Sequence, residues 1–125
     1  MIFVNVKFAI SISMRKLSVL IILLSLFAPG CEKKDIDIPG CIEEKIDSFK
    51  ENVICDSGSY VAIYTFQGSN AFVFAEGNCG ADLGAAVYSE DCNFMGFLGG
   101  ISGNTLISGV RFYDSAKLVK KIWSN

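Results

Sequence analysis

Apolar residues along the chain form one unbroken block and then several patterned ones. The block is residues 17–27 (LSVLIILLSLF), an uncharged run of eleven. After it the apolar positions become periodic. Ile42, Ile46, Phe49 and Val53 recur at helical spacing and predict a helix over residues 41–51 with one apolar stripe. Glu43 and Glu44 in its first turn and Lys50 near its end suit the helix dipole. Pro39-Gly40 marks the start and Asn52 the exit. Residues 60–66 (YVAIYTF) and 71–75 (AFVFA) are rich in aromatic and β-branched residues, with Gln67-Gly68-Ser69-Asn70 between them. This predicts a hairpin with Phe66 opposite Ala71. Val61, Ile63, Thr65, Phe72 and Phe74 then share one face, and Tyr60, Ala62, Tyr64, Phe66, Val73 and Ala75 the other. Two apolar faces need two covers, and the helix supplies one.

The remaining pattern is shorter-ranged. Residues 77–84 read as a loop and residues 85–89 (AAVYS) as a third short strand. Residues 96–103 (GFLGGISG) hold four glycines, so the chain there must turn tightly or pass close to another backbone. Residues 110–113 predict another strand. Residues 116–123 (AKLVKKIW) fit a short helix capped by Asp114 or Ser115, and equally a final strand; either would cover the second face. The expected class is α+β: an N-terminal helix packed on a small antiparallel β-sheet.

The apolar block has the layout of an export signal. Met14-Arg15-Lys16 is a positive n-region, residues 17–27 an h-region, and Ala28-Pro29-Gly30-Cys31 the junction. Eleven residues fall short of the roughly 20 that span a bilayer. A small residue followed at once by Cys resembles the lipobox of bacterial lipoproteins, in which the thiol is diacylglycerated, the preceding bond cut, and the new amino group acylated. Gly30 suits that chemistry, while Ala28 and Pro29 depart from the usual pattern. Residues 1–13 fit no part of a signal, so Met14 is the expected start of translation. The expected organisation is an upstream extension (1–13), a lipoprotein signal peptide (14–30), a charged tether (31–39) and a small domain (40–125). Two or three acyl chains on Cys31 anchor such a chain to a membrane without spanning it.

Charge and cysteine content sharpen this picture. All 13 acidic residues lie at or after Glu32. From Cys31 onward they face eight basic residues, a net charge of about −5 that leaves no electrostatic footprint for nucleic acid. The five cysteines are Cys31, Cys41, Cys55, Cys79 and Cys92. Assigning Cys31 to lipid leaves four in an oxidising compartment, which predicts two disulfides. Cys41 opens the helix and Cys55 lies past its end. Ten helical residues extend about 15 Å, while bridged Cα atoms lie at most about 7 Å apart. Cys41–Cys55 is therefore disfavoured, and Cys79–Cys92 falls with it. The hairpin register brings the chain near Cys55 alongside residues 79–82, which selects Cys55–Cys79 and leaves Cys41–Cys92.

Candidate chemistry is sparse. The chain contains no histidine, which removes Ser-His-Asp and Cys-His catalysis and histidine metal sites. No phosphate-cradling G-x-x-x-x-G-K-[ST] occurs, no cofactor motif is present, and the cysteine gaps do not suit zinc. Asp82, Glu90 and Asp91 are the best carboxylate cluster: two could hydrolyse a glycoside, and all three with Asn78 or Asn93 could hold calcium. Tyr60, Tyr64 and Phe66 form a same-face aromatic stripe that, if exposed, could stack on a sugar or meet a partner protein, and otherwise packs in the core.

The run Pro39-Gly40-Cys41-Ile42, Cys79-Gly80-Ala81-Asp82, Cys92, Gly96-Phe97-Leu98-Gly99-Gly100 and Ile122-Trp123 resembles a family of small uncharacterised lipoproteins of Bacteroidota, a domain of unknown function. The resemblance covers nearly all of the mature domain. It implies a fold and a location, the outer membrane, and no activity. The mixed charge of Glu32-Lys33-Lys34-Asp35 leaves open whether the domain faces the periplasm or the cell surface. Three functions follow as expectations: a non-enzymatic binding or accessory module meeting an envelope protein or glycan, a small carboxylate-based hydrolase, or a purely structural envelope protein.

Overall fold

A computed structural model describes Gly30 and residues 35–125 of the chain. The expected export signal apart from Gly30, the expected lipid site Cys31 and the first part of the expected tether lie outside the described residues. The described fold belongs to one unit, Asp37–Asn125, and it is α+β: a helix followed by a five-stranded antiparallel sheet, with two disulfides.

Helix α1 spans Gly40–Asn52. Pro39 precedes it, and its carbonyl accepts hydrogen bonds from the N–H groups of Ile42 and Glu43, so the first turn closes on backbone alone. Ile42 and Ile46 are buried, and Phe49 continues the stripe against Phe74 and Trp123 with ring centroids 5.6 and 5.9 Å away. The four-residue spacing read from the sequence is thus the face that packs on the sheet.

Strands β1 (Tyr60–Phe66), β2 (Ser69–Ala75), β3 (Gly84–Ser89), β4 (Phe94–Gly99) and the final strand of the chain form a sheet in the order β4-β3-β2-β1 and then that final strand. Between β4 and the last strand lie a two-stranded ribbon, β5 (Leu106–Ile107) and β6 (Val110–Arg111), and a single helical turn, α2 (Phe112–Ser115). The last strand, β7, spans Lys117–Ser124 and pairs with β1. Strand β2 is the middle of the sheet, and Ala71 to Ala75 are all buried because both faces are covered.

The hairpin forms, but its register differs from the expectation. Phe66 pairs with Ser69 rather than Ala71. The connection is the two-residue turn Gln67-Gly68, whose φ angles of 50° and 82° place both residues in the left-handed region that a type I′ hairpin requires. A shift of two residues preserves the alternation, so the predicted faces stand: Val61 pairs with Phe74 and Ile63 with Phe72 on the helix side, Ala62 with Val73 on the other.

Three further readings need correction. Residues 110–113 are not one strand; Val110–Arg111 pairs, and the chain then coils into α2 so that Phe112 is fully buried. The glycine-rich stretch is a turn only from Gly100 onward, since Gly96 to Gly99 lie within β4. A Cβ on Gly96 would meet Ile107 Cδ1 at 2.7 Å, so this glycine is where the ribbon closes on the sheet. Residues 116–123 do not cover the second face; they extend the sheet at its edge, and Ile107 and Phe112 do the covering, packed with Phe66, Val73, Val87 and Leu98.

The disulfides pair as expected: Cys41–Cys92 with Cα atoms 6.2 Å apart and Cys55–Cys79 with Cα atoms 5.6 Å apart. The first ties the start of α1 to the β3–β4 turn. The second ties the segment entering β1 to the loop leaving β2. That corner is closed further by Asn125. Its side chain accepts a hydrogen bond from the Ser59 N–H at 2.9 Å and donates to the Cys55 carbonyl at 2.7 Å, while its own N–H donates to the Ser59 carbonyl at 3.2 Å. Ser59 is fully buried and donates its hydroxyl to the Glu76 carbonyl at 3.0 Å.

Candidate functional site

The two faces of the sheet carry different chemistry. On the helix side, Lys45 of α1 places its ammonium 4.5 Å from the centre of the Tyr88 ring. Beside it a cleft of about 310 Å³ opens between α1 and the sheet, lined by Lys45, Asn52, Phe74, Glu76 and Tyr88.

On the opposite face lies the aromatic stripe. Strand alternation puts Tyr60, Tyr64 and Phe66 together, as the sequence predicts. Their environments differ. Phe66 is buried, its ring 4.9 Å from that of Phe112, and belongs to the core. Tyr60 and Tyr64 are half-buried. The residue that completes the cluster is Tyr113, 51% exposed, which α2 brings to 6.0 Å from the Tyr64 ring. The Tyr60 hydroxyl interacts with those of both Tyr64 and Tyr113. Burial, with Tyr113 beside it, pushes the Tyr60 phenol up to about 12. Tyr64 and Tyr113 are also raised, chiefly by burial. Lys121 of β7 holds its ammonium 5.1 Å from the Tyr60 ring centre, where a cation gains from the electron-rich face.

Tyr60 and Tyr113 form one wall of a shallow groove of about 330 Å³, with Asn78 and Leu98 and the bare backbone of Gly77 and Gly84 completing it. None of the residues lining this groove is charged. Gly84 cannot carry a side chain there, because a Cβ would collide with the Leu98 carbonyl on the neighbouring strand. The groove therefore presents phenol rings, hydroxyls, one amide and peptide edges, a surface suited to a neutral ligand with both an apolar face and hydroxyls.

The carboxylate cluster does not assemble. Asp82 lies just before β3, whereas Glu90 and Asp91 follow its end. Six strand residues extend about 20 Å, beyond the separation of a glycosidase pair or a shared cation site. Glu90 instead accepts a hydrogen bond from the Asn70 N–H at 3.1 Å and steadies the neighbouring strand end. Among the described residues no three His, Cys, Asp or Glu side chains are grouped to hold a metal ion. No described helix is long and apolar enough to cross a membrane.

Sequence reasoning missed Tyr113 and Asn125, which reach the groove and the Cys55 corner across more than fifty positions of chain. Tyr113 lies in a single helical turn and Asn125 just past the end of β7, and nothing in the immediate sequence signals where either docks.

No curated protein and no solved structure matches the chain. A family model does, from the second half of α1 through the last strand, and includes Cys55, Cys79 and Cys92 but not Cys41. Residues 47–125 match the model described as "Domain of unknown function (DUF6970)", and the chain belongs to that family.

Proposed function

We propose that the chain is an exported lipoprotein of the bacterial cell envelope, of Bacteroidota type, held by acyl groups on Cys31 at the outer membrane and serving as a non-enzymatic binding module. The observation that carries the anchor is the order Met14-Arg15-Lys16, residues 17–27, Gly30-Cys31. Lipid on Cys31 also explains why the remaining four cysteines close into two bridges with none left over. Mass spectrometry of the N-terminal peptide from membrane-purified protein tests it. A diacylglyceryl-modified Cys31 is the expected result, and an unmodified Cys31 overturns the reading.

The binding role rests on the uncharged groove bordered by Tyr60 and Tyr113. In a domain with such an excess of acid, a neutral, hydroxyl-bearing surface favours an envelope glycan over a charged ligand. Titration with soluble neutral oligosaccharides, followed by NMR of the tyrosine rings, is the direct test. Shifts confined to Tyr60, Tyr64 and Tyr113, lost in Tyr113→Ala, support it. No shift at millimolar sugar removes the glycan.

A further inference from the structure

Charge is divided sharply along the described chain. Residues 35–110 carry eleven acidic side chains against Lys45 and Lys50, whereas residues 111–125 carry Arg111, Lys117, Lys120 and Lys121 against Asp114 alone. The three lysines lie on β7, an edge of the sheet whose outer side pairs with no described strand. All three are exposed, and none makes an ion pair among the described residues. Between them Leu118 and Val119 are also exposed, at 58% and 44%.

Building on the anchored reading above, we propose that the β7 edge, residues 117–121, is a contact surface for anionic phospholipid headgroups and orients the domain on its membrane. Three features of the molecule favour that occupant. Nine positions separate Cys31 from Gly40, a tether of at most about 30 Å, so an anchored domain never leaves the neighbourhood of the bilayer. The five-stranded sheet is only about 19 Å across, so the tether length permits either edge to reach the surface. The acidic remainder is repelled by an anionic surface while the lysines are drawn to it, each by about fivefold in affinity, which selects this edge. Leu118 and Val119 add apolar contact at the headgroup level, which lysines serving only to guard an open sheet edge do not need.

The test mixes the full chain, as isolated from its native membrane fraction, with vesicles of phosphatidylcholine alone or mixed with phosphatidylglycerol. Amine acetylation is followed by peptide mass spectrometry. Lys117, Lys120 and Lys121 are expected to react severalfold more slowly on the anionic vesicles, with the difference lost at high salt and Lys45 and Lys50 unaffected. The variant K117Q/K120Q, altered only at exposed positions and leaving the Lys121 contact with Tyr60 intact, is expected to lose most of the lipid dependence of a probe on the same edge. Equal rates on both vesicles overturn the proposal and leave the lysines as edge guards. Protection by soluble polyglutamate but not by anionic vesicles overturns it in favour of an acidic protein. If the chain fails to sediment with phosphatidylcholine vesicles, the anchor is refuted. Sedimentation with the anionic vesicles alone would then still support the β7 surface, and sedimentation with neither would overturn it.

Discussion

Removing the Cys41–Cys92 bridge isolates the contribution of a covalent constraint with little change in packing. Cys41 is exposed and Cys92 only half-buried, so C41S/C92S leaves no cavity of consequence. Cys55, by contrast, is 2% exposed and accepts a hydrogen bond from the Cys79 N–H, so its replacement would mix several effects. The two bridges are nested: Cys41–Cys92 spans 51 positions, and Cys55–Cys79 spans 24 of them. With the inner bridge closed, the outer one closes an effective loop of 51 − 24, or 27, positions. In the chain-entropy relation that loop corresponds to about 3.5 kcal/mol at 25 °C, against about 4.1 kcal/mol if the inner bridge were absent. A loss of about 3.5 kcal/mol is a large share of the roughly 5–15 kcal/mol that stabilises a small domain. Urea unfolding monitored by Trp123 fluorescence should show the midpoint falling by about 2–3 M. The slope should rise slightly, because the unfolded variant is less confined. A loss under about 1 kcal/mol at unchanged slope would refute the reasoning, since the bridge would then not act by restricting the unfolded chain.

Other perturbations follow from the same contacts. Phe112→Ala removes a fully buried ring that meets Tyr64, Phe66 and Tyr113, and should cost about 3–5 kcal/mol in the same assay. Asn125→Ala deletes the side-chain hydrogen bonds to the Ser59 N–H and Cys55 carbonyl; leaving the buried Ser59 N–H unpaired should cost about 1–3 kcal/mol and speed amide exchange at Ser59. Tyr60 has a folded-state pKa raised from 10.0 to about 12, so its contribution is complete below pH 10 and is lost as pH rises from there toward 12. Tyr60→Phe should therefore flatten the alkaline fall in stability, and a fall of unchanged steepness would count against the buried phenol as its source.

Much of this architecture is legible in the chain because it depends on local period. The stripe Ile42, Ile46, Phe49 fixes both the helix and its buried side. The hairpin faces emerge correctly although the expected register differs from the observed one by two residues, because side-chain alternation has a period of two. Ser69 and Asn70 read as turn formers, yet the left-handed pair Gln67-Gly68 turns the chain alone and frees both for pairing. Strand β4 is harder to see, since Gly96 and Gly99 look like punctuation until Ile107 is packed over the first. β7 is ambiguous for a structural reason: its pairing with β1 slips twice, between Val61 and Ala62 and between Ile63 and Tyr64. Those irregularities break the alternation and leave Leu118, Val119, Ile122 and Trp123 at nearly helical spacing. For the groove, the stripe Tyr60–Tyr64 is visible in the sequence, while Tyr113, Asn78 and the glycine floor come together only through tertiary pairing.

The position of the outer bridge also decides how the domain carries mechanical load. Cys41 is the second residue of α1, so tension arriving from the N-terminal side crosses its sulfur to Cys92 almost at once. Residues 42–91, which include most of α1 and all of β1 to β3, hang as a closed loop off that force path and bear none of the pull directly. Pulling between Cys41 and Asn125 should therefore extend only the residues beyond Cys92, to about 110–120 Å of chain. In C41S/C92S a further 27 positions become extensible, adding about 90–100 Å, while the inner bridge still withholds the rest. On the anchored reading proposed above, the bridge keeps most of the helix and three of the five sheet strands off the direct path of a pull from the N-terminal side.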